Sequence, residues 1–142
     1  MMRYVYPVIL RPEEEGSGFI VSFPDVPEAL TSGDTREEAL FEAVDALVGA
    51  LGGYVELRLP IPTPSTIEPE QDAVVLPALT AAKLALYTTM RDQGLTNVAL
   101  AERLGVSETI VRRLVHPDHH SKIERVEQAL AALGKHLVVE AA

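Results

Sequence analysis

The chain has 142 residues, 47% of them apolar and 23% charged, with a net charge of −9, four Tyr, three Phe and neither cysteine nor tryptophan. At ~100–200 residues per domain this is one domain or two small ones, and the missing thiols exclude disulfides, cysteine nucleophiles and thiolate metal sites. No apolar run approaches the ~18 residues of a bilayer span, no basic-then-apolar leader opens the chain, and so few aromatics cannot build a stacking platform for single strands, so a soluble, cytoplasmic protein without a membrane partner is expected.

Arg3-Tyr-Val-Tyr-Pro-Val-Ile-Leu10 is β-branched and aromatic, and Gly18-Phe-Ile-Val-Ser-Phe23 alternates Phe19, Val21 and Phe23 on one face, which predicts two strands. The residues between them include Pro12, Gly16 and Glu13-Glu-Glu15, the composition of a hairpin tip. A third extended piece is expected over Ala29 to Ser32. Thr35-Arg-Glu-Glu38 reads as a capping box opening a helix, with Leu40, Ala43, Val44, Leu47 and Leu51 as its apolar stripe and Gly52-Gly53 as its stop. These elements predict an antiparallel sheet with one helix on one face.

Pro60 to Pro69 holds four prolines in ten residues, which suits neither helix nor central strand. Residues 66–77 are therefore read as a linker between a unit over 1–65 and a unit over 78–142. The alternative is a rigid loop, with Ala73 to Leu76 pairing back onto the first half. Charge divides at the same place. Residues 1–65 carry four basic against eleven acidic side chains, net −7, while 78–139 carry eight basic against six acidic, net +2.

The second half is helical. A helix over Leu79 to Arg91 is predicted, ending at Gly94. Two short helices capped by Thr96 and Ser107 should then flank a turn at Gly105. Small Ala101 where helices cross, Gly105 for a left-handed turn and β-branched Val111 on the buried side are what a helix-turn-helix demands. Ser121-Lys-Ile-Glu124 predicts a capping box for a last helix with Gly134 as its stop, and Leu137-Val-Val139 is a short strand candidate.

The outward residues of the second short helix are Ser107, Glu108, Thr109, Arg112 and Arg113. Arginine can grip guanine O6 and N7 with two hydrogen bonds, glutamate can accept from cytosine N4, and threonine offers a methyl to thymine or a hydroxyl to phosphate. Lys122, at the opening of the last helix, suits a phosphate. Catalytic patterns fail. His116, His119 and His120 share a loop with no cysteine beside them, the acidic residues of the first half do not converge from strands, and no phosphate loop, nucleophile elbow or HExxH occurs. Neither enzyme nor cofactor nor metal is expected.

The run Gly18-Phe-Ile-Val-Ser-Phe-Pro-Asp-Val-Pro27, followed by Thr31-Ser-Gly-Asp-Thr-Arg-Glu-Glu-Ala39 and an apolar helix, resembles the HicB antitoxin family of type II toxin-antitoxin systems, in the branch that appends a helix-turn-helix after a proline-rich segment. The resemblance implies an α+β chain: a partial ribonuclease-H-like antiparallel sheet with one packed helix, then an all-α Cro-like helix-turn-helix domain. It also implies a HicA-like ribonuclease toxin as partner and repression of the shared operon. Glu28 departs from the glycine that many relatives carry after the second proline.

On that reading the acidic half meets a cationic toxin, residues 1–65 suffice for neutralisation, and Phe23, Pro24, Asp25, Asp34 and the hairpin tip make the contacts. One small helix-turn-helix reads few base pairs, so binding to double-stranded operator DNA requires a homo-oligomer, a dimer or a dimer of dimers, with Leu137 to Val139 as a seam. The alternative function is a stand-alone regulator whose first half senses a ligand or dimerises.

Overall fold

In the computed structural model, which describes residues 2–142, the first β-branched run divides at Val8. β1 (Val5–Pro7) pairs antiparallel with β5 (Ala73–Val75), setting Val5 opposite Val75 and Tyr6 opposite Val74. β2 (Ile9–Pro12), β3 (Phe19–Ser22) and β4 (Leu30–Gly33) form a second antiparallel sheet in that order, with Leu10 opposite Val21 and Val21 opposite Thr31. The amide of buried Val8 donates to the Asp72 carbonyl at 2.9 Å, which carries the chain from one partner to the next. Ala73–Val75, inside the 66–77 segment, thus pairs back onto the first half. The stretch before it is tied down as well: Tyr6 donates its hydroxyl to the Pro62 carbonyl at 2.8 Å, and the Asp25 carboxylate accepts from the Ser65 amide at 2.8 Å and the Ser65 hydroxyl at 2.5 Å.

α1 (Arg36–Glu56) begins as its sequence prescribes. The Thr35 hydroxyl accepts from the Glu38 amide at 3.1 Å, and the Glu38 carboxylate reaches back to the Asp34 amide at 3.2 Å. Buried Ala39, Ala43, Leu47, Leu51 and Val55 recur every four residues and face β3 and β4. The end of α1 corrects the sequence expectation, because the helix runs through Gly52-Gly53. Gly52 meets the His116 ring, where an added Cβ would lie 3.4 Å from the ring carbon, so this glycine serves close packing rather than termination. Arg58 stops the helix instead, in a left-handed conformation (φ 58°), with Leu59 donating to the Tyr54 carbonyl and Arg58 to that of Val55.

The remaining elements are α2 (Ala78–Asp92), α3 (Asn97–Leu104), α4 (Glu108–Val115) and α5 (Ile123–Ala132). Their buried side chains, including Leu84, Leu100, Val111 and Val126, belong to the same apolar cluster as Tyr6, Val21 and Leu47. The molecule is α+β: small antiparallel sheets and five helices among the described residues. No described helix is long and apolar enough to cross a membrane.

Gly33 closes the tight connection from β4 into α1. A Cβ there would lie 2.4 Å from the Ala39 amide nitrogen and 2.7 Å from its Cα, backbone atoms that cannot rotate away. Gly33→Ala is therefore expected to cost roughly 3 kcal/mol as an overpacking change, lowering Tm by roughly 6–12 °C for a chain of this size. A melt within 2 °C of the parent would show that the turn relaxes freely.

Candidate functional site

α3 and α4 form the pair of short helices expected around Gly105. Thr96 caps α3 by accepting from the Ala99 amide at 3.1 Å, and Ser107 caps α4 by accepting from the Ile110 amide at 3.4 Å. Gly105 takes the left-handed conformation (φ 67°) that turns the chain between them, and the Val106 amide closes α3 onto the Ala101 carbonyl at 3.0 Å. Ala101 and Val111 are both buried, as the crossing requires.

α4 has one side in the core, with Val111, Leu114 and Val115 buried, and the other in solvent. Ser107, Thr109, Arg112 and Arg113 are exposed, and Glu108 is half-exposed. Arg112 forms an i,i+4 ion pair with Glu108, which holds the carboxyl below its usual range through the hydrogen bond and raises the guanidinium. Lys122 is exposed at the amino end of α5, beside amides that await an acceptor. All six residues singled out for DNA therefore lie at the surface on α4 or at the start of α5.

The capping box expected at Ser121 does not form; Lys122 occupies the cap position and no side chain caps the helix. The Ser121 hydroxyl instead accepts from the Lys83 ammonium at 2.8 Å. Lys83 is fully buried and also donates to the Arg113 carbonyl at 2.7 Å. Its sequence context, a lysine among alanines in an amphipathic helix, carried no signal of this role. The histidines separate. His116 lies 2.8 Å from the Glu56 carboxylate, His119 stands 3.4 Å from the Ser121 hydroxyl, and His120 is exposed. No cluster of three or more His, Cys, Asp or Glu suited to a metal occurs among the described residues.

The four residues singled out in the acidic half are distributed differently. Phe23 is 2% exposed and belongs to the core, Asp25 is half-buried and holds Ser65, and Pro24 and Asp34 are exposed. Glu13 to Glu15 stand at the tip between β2 and β3, with Glu14 and Glu15 exposed. Sequence reasoning passed over Phe41. It lies on the solvent side of α1, 72% exposed, in a row with Glu37 and Asp45 at four-residue spacing. The available signal was an aromatic side chain outside the helix's own apolar stripe.

Residues 5–85 match the family described as HicB-like antitoxin of bacterial toxin-antitoxin systems. The chain is 50% identical over 133 residues to Antitoxin HicB of Pseudomonas fluorescens, covering 92% of this chain and 90% of that protein. It is 48% identical over 132 residues to Antitoxin HicB 2 of Photorhabdus laumondii, covering 93% and 92%. With Antitoxin HicB of Escherichia coli K12 the identity is 40% over 132 residues, covering 93% and 95%.

Proposed function

The chain belongs to the HicB-like antitoxin family of bacterial toxin-antitoxin systems, and from that premise we propose that it inhibits a HicA-like ribonuclease toxin through its acidic half and represses its own operon through α3 and α4. It acts by binding and carries no catalytic role of its own, in keeping with relatives named as antitoxins. The observation that carries the DNA part is α4 itself: a helix held by Val111, Leu114 and Val115 that leaves Thr109, Arg112 and Arg113 to solvent. Two copies on a two-fold axis would supply two such helices. Val138 and Val139, 68% and 78% exposed in the single chain, fit the seam between them. Electrophoretic shift of the duplex upstream of the chain's own coding region tests this part, and a chain that shifts neither that duplex nor a scrambled one at low salt refutes it.

The toxin part draws on the net charge of −7 over residues 1–65 and on the groups the free surface offers. Of the set read from sequence, Pro24 and Asp34 meet that condition, joined by the hairpin tip and the Glu37-Phe41-Asp45 row. An exposed aromatic with a carboxylate one turn to either side suits a cationic protein that places an apolar pocket among its basic groups. Phe41→Ala is expected to weaken toxin binding by about tenfold or more, in the range of a central contact at about 1.4 kcal/mol per tenfold, with Tm unchanged because Phe41 buries little. Titration calorimetry against the ribonuclease from the same operon measures it. An unchanged Kd would remove α1 from the contact.

A further inference from the structure

The α4 helix ends in a way that leaves one of its carbonyls without a helical partner. The Arg113 carbonyl would accept from the amide four residues on, and that residue is Pro117, which has none. His116, preceding the proline, is already extended (ψ 119°). Lys83 of α2 fills the vacancy: fully buried, it donates to the Arg113 carbonyl at 2.7 Å and to the Ser121 hydroxyl at 2.8 Å. A cation at a helix carboxyl end also complements the helix dipole.

We infer that Lys83 is a positioning residue for DNA recognition, joining the end of α4, which carries Arg112 and Arg113, to the turn that presents Lys122, so that base-reading and phosphate-holding groups share one rigid geometry. The inference rests on the DNA reading above. It concerns how that site is held. The two contacts span α2, α4 and the turn before α5, and without them only the long 3.5 Å bond from the Ser121 hydroxyl to the Arg113 carbonyl would join Arg113 to the turn before Lys122. A buried lysine is costly unless it earns its place, and among the described residues no carboxylate pairs with this one.

Burial pushes the Lys83 ammonium down to about 8. Charged or titratable groups near it include Arg113, whose carbonyl it bonds, and exposed His119, which partial desolvation and then Lys83, Arg113, His116 and His120 hold low. Loss of the charge weakens the bond to the Arg113 carbonyl and with it the placing of Arg112 and Arg113, so operator preference should fall as pH rises through about 8. Folding stability has the opposite slope. Between about 8 and the unfolded value of ~10.4 the unfolded chain holds the extra proton, so stability increases with pH there. Burial raises Tyr4 and Tyr6, which reverses the trend only above the ordinary tyrosine range.

The test uses the full chain with the duplex upstream of its own coding region and a scrambled duplex. Lys83→Met keeps the apolar stem and removes the donor. It is expected to lose at least tenfold in operator affinity at pH 7 and less than threefold on the scrambled duplex, with an unchanged far-ultraviolet circular dichroism spectrum. Equal losses on both duplexes, or none, would overturn the inference. A pH series on the unsubstituted chain keeps the idea falsifiable if the variant does not fold. The operator preference should fall several-fold between pH 7 and 9.5 while Tm rises between 8 and 9.5, and a flat preference sinks the proposal. An unsubstituted chain that binds neither duplex would refute the DNA reading and Lys83 with it; operator binding indifferent to both Lys83→Met and pH would refute Lys83 alone.

Discussion

Arg112→Ala is expected to lower operator affinity by about 1–3 kcal/mol per half-site, roughly 5–150-fold, and to relax the preference at one base pair. A dimer contributes two such arginines, so the combined loss on a full operator is the larger of the DNA effects. The ion pair with Glu108 sets the cost of recruiting the side chain. Both groups are at least partly in solvent, where an i,i+4 pair is screened and contributes far less than a bidentate contact to guanine. The pair is therefore a small cost against the base contact proposed for Arg112. Lys122→Ala should behave differently in kind, weakening operator and scrambled duplexes alike and reducing the salt slope by about one per subunit. Binding isotherms on both duplexes at several salt concentrations separate the two. Equal losses for Arg112→Ala on both duplexes would remove it from base readout.

The contrast between local and distant causes explains what the sequence disclosed. The caps at Thr35, Thr96 and Ser107, the turn at Gly105 and the burial of Val111 each depend on residues within a few positions, and all occur as read. Gly52 misled because its reason for being small is the His116 ring, a partner far along the chain. The true stop at Arg58 is a residue with no preference for positive φ, held there by the bonds of Leu59 and by Arg91, which donates to the Arg58 carbonyl at 2.6 Å. Ser121 misled in the same way. Its local capping signal is genuine, but the buried Lys83 ammonium offers a stronger, charge-assisted bond. For the residues proposed to meet the toxin the sequence disclosed charge but not depth: Asp34 is exposed, while Phe23, just past β3 and adjacent to exposed Pro24, continues the alternation of Phe19 and Val21 and turns into the core.

Because β5 pairs with β1, the expectation that residues 1–65 suffice is revised: that fragment alone is expected not to neutralise toxin, whereas one ending at Leu76 should do so within about tenfold of the full chain's affinity, taking that unit's surface as the complete contact. The difference is β5. A chain cut after Ser65 loses the partner of β1, the bonds from Leu76 to Tyr4 at 3.1 Å and from Val8 to Asp72 at 2.9 Å, and the Arg36–Asp72 ion pair. It also loses the buried side chains Val74 and Leu76, each worth about 1.5–3 kcal/mol. A unit of this size seldom holds more than about 3–5 kcal/mol in total, so the deficit is enough to unfold it. The edge of β1 would then be free to pair with other chains. Chemical denaturation and toxin titration of the two fragments decide the matter. If the shorter fragment folds and inhibits as well as the longer, β5 is an accessory to the acidic half and the minimal unit ends before it.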